Sequence, residues 1–294
     1  MCGILCVQSV DAIPLERHLS AMALLNDRGP DHLTYQYQPN RFIAQSVLHF
    51  TGTTDFYHQT HDNFLAFNGE IYNWNQLNDS VKSDTELIYT TVNNKNWNNF
   101  KQFHGPWAWV YADDTDIYYA ADPQGERHLF VYQDSSWLII CSEIAPILSY
   151  VQTEIWMADY ASKHYPIIDL TPWAGIHRIE PGCLYKNNER ISVIDNIKQW
   201  VSRDYAGTYA QAVDDLDRLM HQTAQEIMPA EPTALSYSGG LDSSLIDIYC
   251  PGLNKYTLVT DRDPVSQMTE HTQHLVVDAE QWADYFVRLS RRLM

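Results

Sequence analysis

A cysteine directly after the initiator methionine is the feature that most constrains this chain, which begins Met1-Cys2-Gly3-Ile4-Leu5. Met1 is normally removed when the next residue is small, and Cys2 would then carry a thiol and a free α-amino group on one residue. That amino group titrates near neutrality, so it can act as the base that activates the thiol. The run Ile4-Leu5-Cys6-Val7 predicts a buried strand with Cys2 at its tip, and Gly3 is expected to let a substrate approach the backbone.

Length and composition narrow the classes of function. With 294 residues, of which 45% are hydrophobic, the chain has room for two domains with proper cores. The formal net charge of −18 argues against nucleic acid as a partner, because phosphate backbones bind basic surfaces. No apolar stretch is long enough to cross a membrane, and the amino terminus lacks a signal-peptide pattern. Five cysteines at irregular spacing show no disulfide or zinc framework, so we expect a cytoplasmic protein without a protein metal site.

The hydrophobic pattern changes once along the chain. Up to about residue 200 it consists mainly of short alternating runs separated by turn residues, which is typical of antiparallel sheet. These runs lie at 41–48, 64–68, 107–112, 117–121, 130–132 and 137–141. A helix is predicted over 15–25, a short one after Ser142-Glu143, and a further strand pair after Glu180-Pro181-Gly182. A long amphipathic helix over 209–228 and a strand over 234–237 then indicate α/β structure, so we place a domain boundary near 203–207.

Three short motifs carry chemical information, although each alone has a plain structural explanation. Asn68-Gly69 supplies a carboxamide donor and an exposed backbone N–H, the parts of an oxyanion hole, but such a pair is more often a hairpin turn. Ser83-Asp84-Thr85-Glu86 has the pattern of a helix capping box. Ser238-Gly239-Gly240-Leu241-Asp242-Ser243-Ser244 follows a strand and opens a helix, an arrangement that suits a phosphate chain.

Together these segments resemble the glutamine-dependent asparagine synthetase family, in its order and at roughly its spacing. The matching segments are Cys2-Gly3-Ile4, Arg28-Gly29-Pro30-Asp31, Asn68-Gly69-Glu70-Ile71-Tyr72-Asn73, Ser83-Asp84-Thr85-Glu86, Cys141-Ser142-Glu143, Pro181-Gly182 and Ser238 to Ser244. Each is weak by itself, but so many in order do not agree by chance. The resemblance implies an α+β N-terminal-nucleophile hydrolase, an αββα sandwich of antiparallel sheets, over 1–204. Over 205–294 it implies a shortened α/β domain like the adenine-nucleotide alpha-hydrolases, a partial asparagine-synthetase-like ATP-pyrophosphatase domain.

The resemblance also implies the chemistry. The amino-terminal half would be a class II glutamine amidotransferase in which Cys2 attacks the side-chain amide of glutamine, while Asn68 and the Gly69 N–H hold the oxyanion. Asp84 would bind the α-amino group of the substrate, and the released ammonia would serve an ATP-dependent amidation such as asparagine biosynthesis. The residues assigned to substrate binding are Asp84, Glu70 and Leu48. Those assigned to ATP, with Mg²⁺ as a further cofactor, are Ser238, Gly239, Gly240, Asp242, Ser243 and Ser244.

The sequence departs from the family pattern at a position that binds glutamine and in the loops of the second domain. Val47 stands where the family has an arginine that binds the α-carboxylate, and losing such a charge-assisted contact costs about 1.5–3 kcal/mol. Weak glutamine binding is therefore expected, and Val47→Arg is expected to tighten it. The family's Arg-Asp-x-x-Gly and Pro-Leu-Tyr segments read Ala121-Asp122-Pro123-Gln124-Gly125 and His128-Leu129-Phe130 here. The family's later pyrophosphate loop has no counterpart, since no glycine follows Gly252, which predicts ATP binding without adenylation by this chain alone.

Three hypotheses of function remain open at this point. The first is a working glutaminase–synthetase whose missing part comes from a second chain or from the partner in a homodimer. The second is a stand-alone amidase with an N-terminal cysteine and a substrate other than glutamine. The third is a catalytically silent binding or scaffold protein. Val47 favours the second or third hypothesis, and the retained loop from Ser238 to Ser244 favours the first.

Overall fold

The computed structural model describes residues 1–49, 58–59, 63–155, 171–194, 205–228, 232–260, 272–278 and 280–281. The chain forms two compact units, Met1–Asp204 and Tyr205–Met294. The described part of each unit is treated by itself below.

Two six-stranded antiparallel sheets form the first unit. Its strands are β1 (Gly3–Ser9), β2 (His32–Gln38), β3 (Arg41–Val47), β4 (His58–Gln59), β5 (Phe64–Gly69), β6 (Trp107–Ala112), β7 (Ile117–Ala121), β8 (Phe130–Gln133), β9 (Trp137–Cys141), β10 (Ile176–Arg178), β11 (Cys183–Lys186) and β12 (Glu189–Val193). The first sheet has the order β10-β8-β9-β1-β3-β2, and the second has the order β12-β11-β7-β6-β5-β4. The predicted strand β1 is confirmed, and it lies between β3 and β9 in the interior of its sheet.

Helices cover the outer faces of both sheets. They are α1 (Leu15–Met22), α2 (Trp74–Leu77), α3 (Asp84–Asn93) and α4 (Ile144–Leu148), with 3-10 helices at Ala23–Leu25 and Trp97–Gln102. One buried cluster unites side chains of the two sheets, such as Ile4 and Phe64. A second lies between the first sheet and α1 and α4, and a third between the second sheet and α3. These layers form the αββα sandwich of antiparallel sheets that the sequence predicts.

Local details differ from the predicted pattern at two helices. The helix predicted over 15–25 ends at Met22 and continues as a 3-10 turn. The predicted capping box at the start of α3 forms only in part. Ser83 Oγ accepts a hydrogen bond from the Glu86 N–H at 3.1 Å, but the Glu86 carboxylate accepts from the Lys82 N–H at 2.7 Å instead of closing the box on Ser83.

The second unit contains a parallel sheet with the order β13-β14-β15. Its described elements are α5 (Tyr209–Ile227), β13 (Ala234–Ser236), α6 (Leu241–Tyr249), β14 (Asn254–Thr260) and β15 (Gln273–Val277). The predicted strand at 234–237 is confirmed as β13, and β14 pairs in parallel with both β13 and β15. In the described part of the chain, no helix combines the length and the apolar character that crossing a lipid bilayer requires.

Candidate active site

Cys2 lies directly before β1, and the pairing of β1 with β3 fixes its surroundings. Ile4 belongs to the core between the two sheets, and side chains alternate along a strand, so Cys2 continues this inner face. Gly3 pairs with Ser46, which makes Val47 the residue opposite Cys2. The Cys2 side chain is half-buried, so a small substrate can still reach it.

Gln45 brings the end of β3 close to the end of β5 in the other sheet. Its side-chain Nε2 donates to the Phe67 carbonyl at 2.8 Å, and its Oε1 accepts from the Phe67 N–H at 3.0 Å. Gln45 and Val47 share one face of β3, and Asn68 follows Phe67. The register therefore brings Cys2, Val47 and Asn68 to one region at the ends of their strands.

Among these residues, Asn68 has a buried side-chain donor without a hydrogen-bond partner in the described part of the chain. Its side chain is 1% exposed, and its Nδ2 has no hydrogen-bond partner among the described residues. Leaving such a buried donor unsatisfied costs about 1–3 kcal/mol. An unsatisfied donor in the same region as the candidate nucleophile is the arrangement expected of an oxyanion hole before substrate binds.

Gly69 can only be glycine at its position. It has a φ of +151°, and an added Cβ would lie 2.1 Å from the Pro106 carbonyl oxygen. Asn68 and Gly69 are the last residues of β5 and pair with Ala108 and Trp107 of β6, so they do not form the hairpin turn that is the usual structure of this dipeptide.

The segment around Arg28 holds the backbone of the candidate nucleophile. Arg28 Nε donates to the Cys2 carbonyl at 3.1 Å, and Arg28 Nη1 forms an ion pair with Glu143 at 3.1 Å. Gly29 lies so close to β3 that an added Cβ would be 2.3 Å from the carbonyl carbon of Ser46. Two of the segments that carry the resemblance thus help to position Cys2.

The expected role of Gly3 was wrong. An added Cβ at Gly3 would meet Ser46 Oγ at 2.5 Å and Leu25 Cβ at 2.9 Å. The space beside this glycine is therefore occupied by neighbouring protein atoms, which leaves no room there for a substrate.

Two carboxylates, Asp84 and Glu70, lie close to each other, and Glu70 is also near the amino terminus. Asp84 accepts hydrogen bonds from the Ile71 N–H at 3.2 Å and the Thr85 N–H at 2.7 Å. Burial raises the pKa of Asp84 to about 6, and the charge of Glu70 adds to this rise. Burial also lowers the pKa of the terminal amine of Met1, whereas Glu70 raises it. Glu70 is therefore near both Asp84 and the terminal amine.

Leu48, which the sequence assigned to substrate binding, and Val47, which replaces the family's arginine, lie at the end of β3. Leu48 is half-buried just beyond β3. Val47 is fully buried, so an arginine at this position would have to bring its charge into the protein interior. Burial thus speaks against the expectation that Val47→Arg tightens glutamine binding.

Comparisons with known proteins identify the family of the first unit. Residues 1–200 match the family described as the glutamine amidotransferase domain. The chain belongs to this family. The resemblance stated from the sequence is thereby confirmed, and the family is one of enzymes.

Sequence relatives of this glutamine amidotransferase domain include asparagine synthetases. The glutamine-hydrolysing asparagine synthetase of Gallus gallus is 25% identical over 84% of this chain and 47% of its own length. Asparagine synthetase B of Escherichia coli is 24% identical over 84% of this chain and 44% of its own length. The chain thus spans less than half the length of these curated relatives. Among solved structures, the glutamine phosphoribosylpyrophosphate amidotransferase from B. subtilis aligns with a TM-score of 0.47 and 15% identity, over 86% of this chain and 65% of that chain.

Asp122 is a buried residue of this amidotransferase domain whose role sequence reasoning missed. Its side chain is fully buried, and Oδ2 accepts from the Trp107 N–H at 3.3 Å and the Arg127 N–H at 2.9 Å, while Oδ1 accepts from the Glu126 N–H at 3.0 Å. The carboxylate therefore fixes the loop that follows β7. The signal in the sequence was the retained Asp-Pro-x-Gly pattern, since such short turns are often closed by an aspartate side chain.

His128 is uncharged at neutral pH. Burial, together with the neighbouring charges of Arg178, Arg28 and Arg127, lowers its pKa to about 4. Cations thus cluster on this side of the domain, close to the amino terminus.

The candidate phosphate loop of the second unit has the predicted strand–loop–helix form. Gly239 has a φ of +74°, and α6 begins directly after Gly240. Ser238 Oγ lies 3.2 Å from Ser243 Oγ and accepts from the Gly240 N–H at 3.3 Å. Ser243 is buried, but Ser238, Gly239 and Gly240 are exposed, so the start of α6 remains accessible. Whether it binds ATP stays a prediction.

Proposed function

We propose that this chain hydrolyses the side-chain amide of glutamine with the thiol of Cys2 as the nucleophile. The observation that carries the proposal is the buried, unpartnered Asn68 Nδ2 at the same end of the sandwich as Cys2. A donor in this state gains a hydrogen bond when the carbonyl oxygen of a substrate becomes negatively charged.

The proposed reaction begins once Met1 has been removed. The α-amine of Cys2 takes the thiol proton, and the sulfur attacks the amide carbonyl carbon, so that the oxygen becomes an oxyanion held by Asn68 Nδ2 and the Gly69 N–H. Collapse of this tetrahedral intermediate transfers the proton to the leaving nitrogen and expels ammonia, which leaves a thioester on Cys2. Water then hydrolyses the thioester to glutamate and the free thiol.

Substrate binding in this proposal uses the neighbouring carboxylates of Asp84 and Glu70. Asp84 accepts hydrogen bonds from the α-ammonium group, and Glu70 adds negative charge on the same side. Leu48 is the apolar contact proposed for the substrate, because it is half-buried where β3 ends.

The use of the ammonia is a second step of the proposal. By analogy with the asparagine synthetases it matches, the chain would deliver ammonia to an ATP-dependent amidation in the second unit. The N–H and hydroxyl donors of Ser238, Gly239, Gly240, Ser243 and Ser244 suit a phosphate chain at a helix start. Among the described residues no cluster of three His, Cys, Asp or Glu side chains could hold a metal ion, so Mg²⁺ would share Asp242 with the phosphates.

A second chain, or a second copy of this one, is proposed to complete the synthetase half. The second unit exposes large apolar side chains on α5 and β15, which by themselves favour burial against other protein. They are Val213, Leu216, Leu219, Leu275 and Val276. The protein is proposed to act in the cytoplasm, where thiols stay reduced.

The test is a glutaminase assay of the purified chain, with and without ATP and aspartate. Wild type should release glutamate and ammonia, its intact mass should lack Met1, and Cys2→Ala should lose activity while remaining folded. Iodoacetamide should label Cys2 and spare the buried Cys6, whose pKa burial raises to about 12. Retention of Met1, or full activity in Cys2→Ala, would refute the proposal.

A stand-alone amidase acting on another amide is the alternative that one observation favours. Val47 puts an apolar, buried side chain where the family binds the substrate carboxylate. Parallel assays with glutamine and with amides that lack the α-carboxylate distinguish the two functions. Absence of turnover for every amide, in a folded protein with its terminal Cys2 exposed, would instead support a binding protein without catalysis.

A further inference from the structure

We infer that Arg127 binds the α-carboxylate of the glutamine substrate and so takes the part that Val47 cannot play. This inference rests on the proposed hydrolysis of glutamine and adds a residue that determines specificity. It concerns the loop residue directly before His128, in a stretch of the chain that departs from the family pattern.

Arg127 has an unused guanidinium group. Its Nε is buried without a hydrogen-bond partner, and its only hydrogen bond within the described residues is the one from its backbone N–H to Asp122. A buried guanidinium nitrogen without a hydrogen-bond partner is costly, and a carboxylate that reaches this half-buried side chain can form two parallel hydrogen bonds with it. The state of this side chain therefore points to an anionic ligand.

The backbone of Arg127 is tied to the oxyanion-hole strand. Asp122 Oδ2 accepts both the Arg127 N–H and the Trp107 N–H, and Trp107 is the β6 residue paired with Gly69. One carboxylate oxygen and one strand pairing thus connect Arg127 to Gly69. The fully buried Asp122 fixes the position of the loop, and the backbone that carries the Arg127 side chain is therefore held in place.

The charge of Arg127 acts near the amino terminus, where the candidate nucleophile lies. The terminal amine has its pKa lowered by burial and, among charged groups, by Arg28 and Arg127. Arg28 is already engaged, since it donates to the Cys2 carbonyl and pairs with Glu143. Arg127 is therefore the cation near the candidate nucleophile whose side chain is available to a substrate.

In this arrangement, the protein provides charges of both signs for the ammonium and carboxylate groups of glutamine. Asp84 and Glu70 provide negative charge for the ammonium group, and Arg127 provides positive charge for the carboxylate. This division predicts that each residue affects only those amides that carry the matching group.

The experiment measures binding by calorimetry in a Cys2→Ala background, so that no ligand is consumed. The ligands are glutamine, 4-aminobutanamide, which lacks the α-carboxylate, and glutaramate, which lacks the α-amine. Arg127→Gln should weaken glutamine and glutaramate by about 10- to 100-fold and leave 4-aminobutanamide unchanged. Arg127→Lys should give an intermediate loss, because it keeps the charge without the planar fork. Arg190→Gln, at an exposed arginine on β12, is the matched control and should change none of the affinities.

The outcomes separate the two proposals. Unchanged glutamine affinity in folded Arg127→Gln, or an equal loss for all three ligands, overturns the role of Arg127 and leaves glutamine hydrolysis standing. If Arg127→Gln does not unfold cooperatively on heating, Arg127→Lys decides by the same comparison. If the Cys2→Ala chain binds no amide and wild type hydrolyses none, the proposed function fails and this inference fails with it.

Discussion

Asp84 is a carboxylate whose surroundings determine at which pH it can bind a cation. Burial raises its pKa to about 6, while the N–H groups of Ile71 and Thr85 partly oppose this rise by donating to it. The group is therefore ionised at neutral pH and protonated in mild acid. A protonated Asp84 loses its attraction for an ammonium group.

We expect the affinity for glutamine to fall as the pH decreases through about 6, because Asp84 becomes neutral there. Asp84→Asn should weaken glutamine by about 10-fold at neutral pH and remove the inflection. The measurement is a calorimetric titration across this range in the Cys2→Ala background. Glutaramate, which has no amine, should show no such inflection, and an inflection that persists in Asp84→Asn would assign the titration to another group.

Ser142 connects the end of β9 with the start of β1, which makes it important at the level of elements. Its Oγ accepts from the Ile4 N–H at 3.0 Å, and its N–H donates to the Ile4 carbonyl at 2.9 Å. Both residues are fully buried. The strand that presents Cys2 is thus fixed only two residues from the thiol.

Replacing Ser142 by alanine should leave the Ile4 N–H buried without an acceptor and lower the free energy of unfolding by about 1–3 kcal/mol. Chemical denaturation measures this loss, and the maximal rate of amide hydrolysis should fall with it, since β1 carries the nucleophile. Ser20→Ala is the control, because Ser20 is exposed on α1 and alanine suits a helix. A change no larger than that of Ser20→Ala would show that the hydrogen bond does not hold β1.

The elements that the sequence predicted best are those with buried, apolar strands. β1, β5, β6, β7 and β9 are buried along nearly their whole length, so their residues are apolar and recognisable. β2 was missed because it is an edge strand with mostly exposed, polar residues. Hydrophobic periodicity carries no signal where neither face of a strand is buried.

The site was predictable as far as its motifs extended. Asn68 and Asp84 belong to segments that follow each other in the same order as in the family. The structure brings Asn68 to the same region as Cys2. The environment of Arg127 was not predictable, because it depends on a hydrogen bond from the loop to Asp122 and on a strand pairing distant in sequence. Val47 showed that the family's arginine for the α-carboxylate was missing. A single sequence does not show which residue replaces that arginine.

At the scale of the whole molecule, the second unit is predicted to bind nucleotide independently of amide hydrolysis. Gly239 and Gly252 both have a positive φ, of +74° and +90°, with no atoms within 4 Å of an added Cβ. A valine at either position suffers similar backbone strain, on the order of 1–3 kcal/mol. Only Gly239 lies in the candidate phosphate loop.

Gly239→Val should therefore weaken ATP binding by about 10-fold, while Gly252→Val should leave it unchanged at a similar loss of stability. Isothermal calorimetry with ATP and Mg²⁺ measures the first effect and thermal unfolding the second. Glutaminase activity should stay the same in both variants. Wild type should release no pyrophosphate with ATP and aspartate, and release by the purified chain would contradict the prediction that one phosphate loop is insufficient.

Because β1 lies in the interior of its sheet, one of its edges stays unpaired for much of the time that the ribosome takes to synthesise the chain. Ser9 ends a strand whose partner on one side, β9, begins only at Trp137, about 130 residues later. At about 5–20 residues per second, translation takes roughly 6–26 s to supply that partner. Throughout this interval the β9-facing edge of β1 is unpaired, and such edges are sites of aggregation for nascent chains. Slower elongation between β3 and β9 should therefore lower the soluble yield more than equal slowing after Cys141.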